Sequence, residues 1–312
     1  LDTANALANA LTSRYSLGNV ELVDINNMRT KHKKLTFTKM RGTGNDYLYF
    51  DCFDQTVESP ESLAVRLSNR RTGVGSDGIV LIMPSTIADA KMRMFNADGT
   101  EGSVAGNALR CVCKYLYENG HVRKDEMAVE TGSGVKTAKL FIREDQVFSV
   151  LVDMGCPQFA PVKIPVKLDG DRVMMRPVFL AGEKREISCV SMGNPHVVIF
   201  VEDVNRIPLE QVGPQIETDS LFPERVNVSF AQIVDKNDIV MRVWERGIGE
   251  TAACGTGACA VAVAAVENGF CTRGADIDVR LPGGTLVVRY QEDGKVWLTG
   301  DANTEFTGTI EI

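Results

Sequence analysis

The sequence predicts a β-rich α/β protein of the α+β type, built from two similar halves. Three observations carry this. Short strand-like segments dominate from Leu35 onward, clear helical segments are few, and the chain matches itself at one ungapped shift of 149 residues.

Alternating or apolar runs bounded by turn residues place strands in LTFTKM from Leu35 and at 47–51, 79–83, 91–95, 126–130, 136–141 and 147–152. A second set follows at 187–190, 196–201, 239–244, 276–280, 285–290 and 295–299. Asp98-Gly99, Pro282-Gly283-Gly284 and Asp293-Gly294 punctuate them as turns. Helices are expected over 61–70, 106–119 and 256–268. Strands and helices do not alternate regularly, which argues against a doubly wound parallel sheet.

The self-match joins five places in the same order. Gly44-Asn45 falls on Gly193-Asn194, Met92-Arg93 on Met241-Arg242, Glu101 on Glu250, Gly106 on Gly255, and Glu118-Asn119-Gly120 on Glu267-Asn268-Gly269. Each half thus carries a Gly-Asn turn, a strand ending near Met-Arg, and a helix opened by one glycine and stopped by another. The expected domains are 35–150 together with 300–312, and 151–299. Residues 1–34 read as an N-terminal arm or an added extension, with a short helix over 2–13 capped by Asp2.

Composition narrows the function. The chain has 312 residues, 44% apolar and 24% charged, with a net charge of −7. The negative balance disfavours a nucleic-acid surface, and the basic cluster at 29–34 is local and solvated. No stretch reaches the roughly 18 apolar residues of a membrane span, and no secretory leader pattern opens the chain. The expected partner is a small molecule, with no nucleic acid and no membrane. Eight scattered cysteines form no CxxC pair, and three histidines are too dispersed for a metal site. Reduced thiols in the cytoplasm are expected.

One thiol stands apart. In AACGTGACAVAVAAVENGF, residues 252–270, Cys254 precedes a Gly-Thr-Gly turn that opens a helix of small apolar residues. Under the self-match it falls on Ala105, which also precedes a helix-opening glycine. Two such halves facing each other bring two helix N-termini to one cleft, an arrangement suited to a carboxylate. A helix N-terminus also favours thiolate. The thiol can then act as a nucleophile with His196 as partner, or exchange a proton with a carbon next to a carboxylate. The duplication fits proton exchange better.

GTGNDY (42–47), RRTGVGSDG (70–78), FNADGTEGSVAGNALRC (95–111), SMGNPH (191–196), ERVN (224–227), WERGIGETAACGTGACA (244–260) and DVRLPGG (278–284) resemble diaminopimelate epimerases over about 37–312. The resemblance implies two pseudo-symmetric domains, each a β-barrel-like sheet around a central helix, with the active site in the cleft between them. It implies a cofactor-free enzyme, usually a homodimer. Such enzymes interconvert LL- and meso-diaminopimelate for lysine and cell-wall precursors. Carried over, Cys254 is one catalytic thiol. Gly255 and Thr256, with Gly106 and Asn107 of the other half, give N–H groups to the reacting carboxylate. Asn45, Asn96, Asn194, Asn227, Glu245 and Arg246 match substrate-contacting positions, with Arg246, Asn96 and Asn227 holding the distal end. Glu245 and His196 lie near the reacting centre, Glu245 toward the α-ammonium and His196 toward thiol protonation.

The chain departs from the family pattern at Ala105, where the second catalytic cysteine is expected, and at Val104, Arg41 and Gly78, where Met, His and Gln are common. Ala105 removes one proton carrier, so an engineered inactive variant or a natural relative with altered activity is expected. A racemase for another amino acid such as histidine, or a non-catalytic amino-acid-binding relative, are the competing functions.

Overall fold

The computed structural model describes residues 34–102 and 106–311. The expected helix over 2–13 and the position of Ala105 lie outside the described residues. The described residues divide into two units, residues 37–308 and residues 34–36 with 309–311. In the latter, Lys34 Nζ stands 3.6 Å from Glu311 Oε1.

Two runs of elements follow each other in the same order. The first comprises β1 (Lys34–Gly42), β2 (Asn45–Asp51), α1 (Pro60–Ser68), β3 (Gly78–Met83), β4 (Ala90–Asn96), β5 (Glu101–Gly102), α2 (Gly106–Glu118), β6 (Glu126–Thr131), β7 (Gly134–Arg143) and β8 (Gln146–Asp153). The second begins with β9 (Arg176–Leu180), β10 (Glu183–Ser191), β11 (Pro195–Phe200), α3 (Leu209–Glu217), β12 (Asn227–Asp235) and β13 (Asp238–Glu245). It continues through β14 (Gly249–Thr251), α4 (Gly255–Glu267), β15 (Asp276–Leu281), β16 (Gly284–Tyr290) and β17 (Val296–Gly300), and β18 (Asn303–Glu311) closes the chain.

The pairings repeat as well. β1–β2, β3–β4, β4–β5, β6–β7 and β7–β8 are antiparallel, whereas β2–β3 and β4–β6 are parallel. In the second run β10–β11, β12–β13, β13–β14, β15–β16 and β16–β17 are antiparallel, and β11–β12 and β13–β15 parallel. The two runs join where β8 and β17 pair antiparallel, with Leu298 opposite Val152. The duplicated α+β architecture expected from the sequence is therefore present in the hydrogen-bond ladder itself.

Each run wraps its own helix. Around α2 pack Met40, Tyr49, Val80, Met92, Met127 and Val150. Around α4 pack Val190, Ile239, Met241, Val279, Leu286 and Val296. Every residue of α4 from Gly257 to Ala265 is buried. A helix enclosed on all sides must be apolar all round, and its Ala and Val side chains let the strands close in. β-branched Val is only a fair helix former, but burial overrides propensity here.

The matched Met-Arg and Glu positions acquire a physical reason. Arg93 binds Glu101 in a fork, Nε to Oε1 at 2.7 Å and Nη2 to Oε2 at 2.9 Å. Arg242 binds Glu250 in the same way at 2.8 and 2.9 Å. Each pair clamps a short strand, β5 or β14, that leads to a helix start.

Several elements escaped the sequence reading. α3 holds Gly213 and Pro214, which read as breakers. A Cβ on Gly213 would meet the Trp244 ring at 2.7 Å, so the glycine is there for close packing. β12 begins with a buried run whose apolar pattern is interrupted by Ser229, itself buried. β5 and β14 are only two and three residues long. β9 and β18 were also not anticipated.

Candidate active site

The two helix starts meet. A Cβ built on Gly106 would lie 3.5 Å from Leu298 Cδ2, and one on Gly255 would lie 3.2 Å from the same atom. The Gly255 position is also 3.8 Å from Asn107 Oδ1. The first N–H groups of a helix have no partner within it, so two such ends side by side concentrate donors and positive potential. The approach depends on glycine elsewhere too. A Cβ on Gly283 would fall 2.9 Å from the Gly44 Cα and 2.8 Å from Ala252 O. The first-half Gly-Asn turn is thus pressed against the loop that carries Cys254.

Cys254 is the N-cap of α4, extended at φ −139° and ψ 107°. Its Sγ is 3.7 Å from Thr256 Oγ1, and a Cβ on Gly257 would crowd it at 3.1 Å. The Gly-Thr-Gly turn therefore makes room for the sulfur. Burial raises the thiol well above its ordinary range, and the neighbouring Glu245 carboxylate adds to the rise. The thiolate expected from the helix end is not the resting form, because desolvation outweighs the dipole. Glu245 ends β13. Burial raises its carboxyl, and hydrogen bonds from Thr251 (2.5 Å) and from the Cys254 thiol only partly oppose that.

The two Gly-Asn turns act alike. Asn107 Nδ2 donates to Asn45 Oδ1 at 2.7 Å, and Asn194 Nδ2 donates to Thr256 Oγ1 at 3.3 Å. In each half the turn asparagine thus grips the second residue of the central helix. His196 is fully buried, and its Nε2 lies 3.0 Å from Asn194 Oδ1. Since that oxygen can only accept, Nε2 carries the proton. Burial pushes the imidazole down to about 3, and the Arg246 charge acts in the same direction. His196 is therefore neutral and orients Asn194; its hydrogen bond goes there and not to Cys254.

At the far end, Asn227 Nδ2 donates to Pro195 O at 2.8 Å, and its Oδ1 accepts from the Arg246 N–H at 2.9 Å. Arg246 is exposed, with Nη1 donating to Glu224 O at 3.0 Å. Asn227 and Arg246 are brought together. Asn96, at the end of β4, bonds Thr100 Oγ1 at 3.0 Å instead of either of them.

Four supports were not singled out from the sequence. Asp77 accepts from Asn45 Nδ2 and Arg70. Asp46 is clamped by Lys39 and Arg70; burial raises its carboxyl, but those two cations win and hold it below the usual range. Arg110 is entirely buried inside α2, donating to Asp301 O and Thr43 Oγ1, while Asp301 accepts from Thr43. The signal available for Arg110 was a charged residue on an apolar helix face. Glu217, also buried, accepts from Gly247 N and Trp244 Nε1 and pins the Glu245–Gly249 turn. Among the described residues no group of side chains is arranged to hold a metal ion, and no helix is long and apolar enough to cross a membrane.

Solved structures share this architecture. The Bacillus anthracis phenazine biosynthesis protein of the PhzF family superposes with a TM-score of 0.66 at 18% identity, over 90% of this chain and 100% of that one. A probable proline racemase from Agrobacterium radiobacter gives 0.60 at 16%, over 88% and 92%. The fold is thus that of the PhzF-like and proline-racemase-like proteins. The family model for diaminopimelate epimerase matches residues 37–160 and 188–305. Diaminopimelate epimerases of Acetivibrio thermocellus and Desulfovibrio desulfuricans are 48% and 49% identical over 279 and 285 residues, each spanning 89% of this chain and 99% of the relative. The chain belongs to the diaminopimelate epimerase family, a family of isomerases.

Proposed function

We propose that this chain binds diaminopimelate and exchanges the proton on its α-carbon, the chemistry that interconverts the LL and meso forms. The observation that carries this is the meeting of two helix N-termini beside Cys254. The N–H groups of Gly106, Asn107, Gly255 and Thr256 receive the reacting carboxylate, and stabilise the charge that builds on it as the α-proton leaves. Glu245 accepts the Cys254 proton. The resulting thiolate takes the α-proton and becomes a thiol again. Inversion then needs a proton delivered to the opposite face of the carbon. Asn45 and Asn194 line the reacting end, and His196 acts through Asn194. Arg246 receives the distal carboxylate in planar fashion, with Asn227 fixing its backbone and Asn96 contributing from the first half.

The self-match of Cys254 with Ala105 assigns the opposite face to position 105, where a methyl group carries no proton. The two lobes of the cleft are 35–150 with 300–312, and 151–299. We further propose a cytoplasmic homodimer supplying lysine and cell-wall synthesis. Inversion of LL-diaminopimelate in deuterated water tests the reading, comparing the chain with its Ala105→Cys variant. Restoring the thiol should raise inversion at least about 10²–10⁴-fold. The unchanged chain should still bind the ligand and exchange the α-proton of the isomer presented to Cys254. Equal inversion rates would assign the second proton to another residue, and absence of binding would remove the reading.

A further inference from the structure

Asn107 is only 3% exposed, yet its Oδ1 has no hydrogen-bond partner among the described residues. A dry, unpaired amide oxygen is costly, so one that borders a cleft marks a place for a ligand's donor. It lies 3.8 Å from where a Gly255 Cβ would stand, beside the start of α4. Which end of the amide faces that point matters, because one end only donates and the other only accepts.

A chain of hydrogen bonds that ends on Asp77 decides it. Asp77 Oδ1 accepts from Arg70 Nη2 at 2.8 Å. Its Oδ2 accepts from the Asp46 N–H at 3.2 Å and from Asn45 Nδ2 at 3.0 Å. A carboxylate paired with a guanidinium only accepts, so Asn45 must turn its NH₂ toward Asp77. Asn45 Oδ1 then faces Asn107, which must answer with Nδ2, at 2.7 Å. The carbonyl oxygen of Asn107 is the end left over.

We propose that Asp77 is a positioning residue for substrate: through Asn45 it holds Asn107 with its carbonyl oxygen toward the cleft, where it accepts a hydrogen bond from an α-ammonium group. The proposal rests on the amino-acid site described above. The helix N–H groups suit the carboxylate, whereas a carbonyl oxygen beside them repels it and suits the cation on the same carbon.

Asp77→Asn tests this, because an amide at 77 can donate as well as accept. Asn45 and Asn107 are then free to reverse and to present NH₂ to the cleft. Calorimetric titrations of the full chain compare diaminopimelate with pimelate, which has the same chain and carboxylates but no ammonium groups; weak pimelate binding is read by competition. Asp77→Asn should weaken diaminopimelate about tenfold or more and leave pimelate unchanged. Equal weakening of both ligands, or of neither, overturns the proposal. Asn107→Ala leaves the Asp77 cluster in place and should give the same selective loss; if Asp77→Asn does not fold, this variant decides by the same criterion. Failure of the unchanged chain to bind diaminopimelate would sink the functional reading and this proposal together. Binding with an unmoved ratio would sink the proposal alone.

Discussion

His196 illustrates how one side chain ties site geometry to stability. Its imidazole is held neutral by burial, with a folded value of about 3 against an ordinary 6.5. Between those two values the unfolded chain binds a proton that the folded chain does not. Stability from this group is therefore complete above pH 6.5 and is lost as pH falls toward 3, with a limiting slope of about 1.4 kcal/mol per pH unit. His196→Gln keeps an N–H for Asn194 and should flatten that limb in urea melts taken from pH 7 to pH 4. An unchanged limb would show that another group dominates. The sequence singled out Cys254 and both turn asparagines because motif and self-match point at the same positions, and His196 and Glu245 from the motifs alone. It did not reveal that burial holds Cys254 as a thiol, since local sequence shows the helix end but not the protein packed over it. Asp77, likewise, was an ordinary loop aspartate until the fold brought it to Asn45, 32 residues earlier.

Among the elements, the paired strands β4–β5 and β13–β14 show what was legible and what was not. The repeated Met-Arg and Glu exposed the duplication, and the structure converts them into two forked ion pairs. These are not energetically equal. Arg242 also donates from Nη1 to Val204 O and Ile207 O, at 3.1 and 2.9 Å, whereas Arg93 rests its guanidinium carbon 4.9 Å from the centre of the Phe95 ring. Partly exposed ion pairs contribute about 1 kcal/mol or less, and hydrogen bonds from a charged donor contribute more. Arg242→Gln should therefore cost about 2 kcal/mol in chemical denaturation and Arg93→Gln less than about 1 kcal/mol. Equal costs would mean that the two backbone carbonyls contribute nothing. α1, α2 and α4 were visible from periodicity, and α2 and α4 also from their glycine stops. α3 was not, because Gly213 and Pro214 interrupt its pattern, Gly213 serving the close approach of the Trp244 ring and not the helix's own preferences.

At the scale of the whole molecule, the two halves are alike in pairing but unlike in how their first strands are covered. β9 and β10 form a local hairpin, Leu180 opposite Glu183. β1 instead pairs with β18, where Phe37 and Phe306 pack with ring centres 6.1 Å apart and Arg41 reaches Glu305 at 3.1 Å. Thr43 and its acceptor Asp301 are 258 residues apart in sequence. Distant closure is entropically dearer and slower than local pairing. Pulse-labelled hydrogen exchange during refolding should protect β10–β17 before β1–β5, and simultaneous protection would contradict this. The same asymmetry has a consequence during synthesis. A ribosome releases the second half's hairpin and helix in one stretch, but the first half waits for β18. Until β18 emerges, β1 keeps an open edge, and the half made earlier is the one finished later.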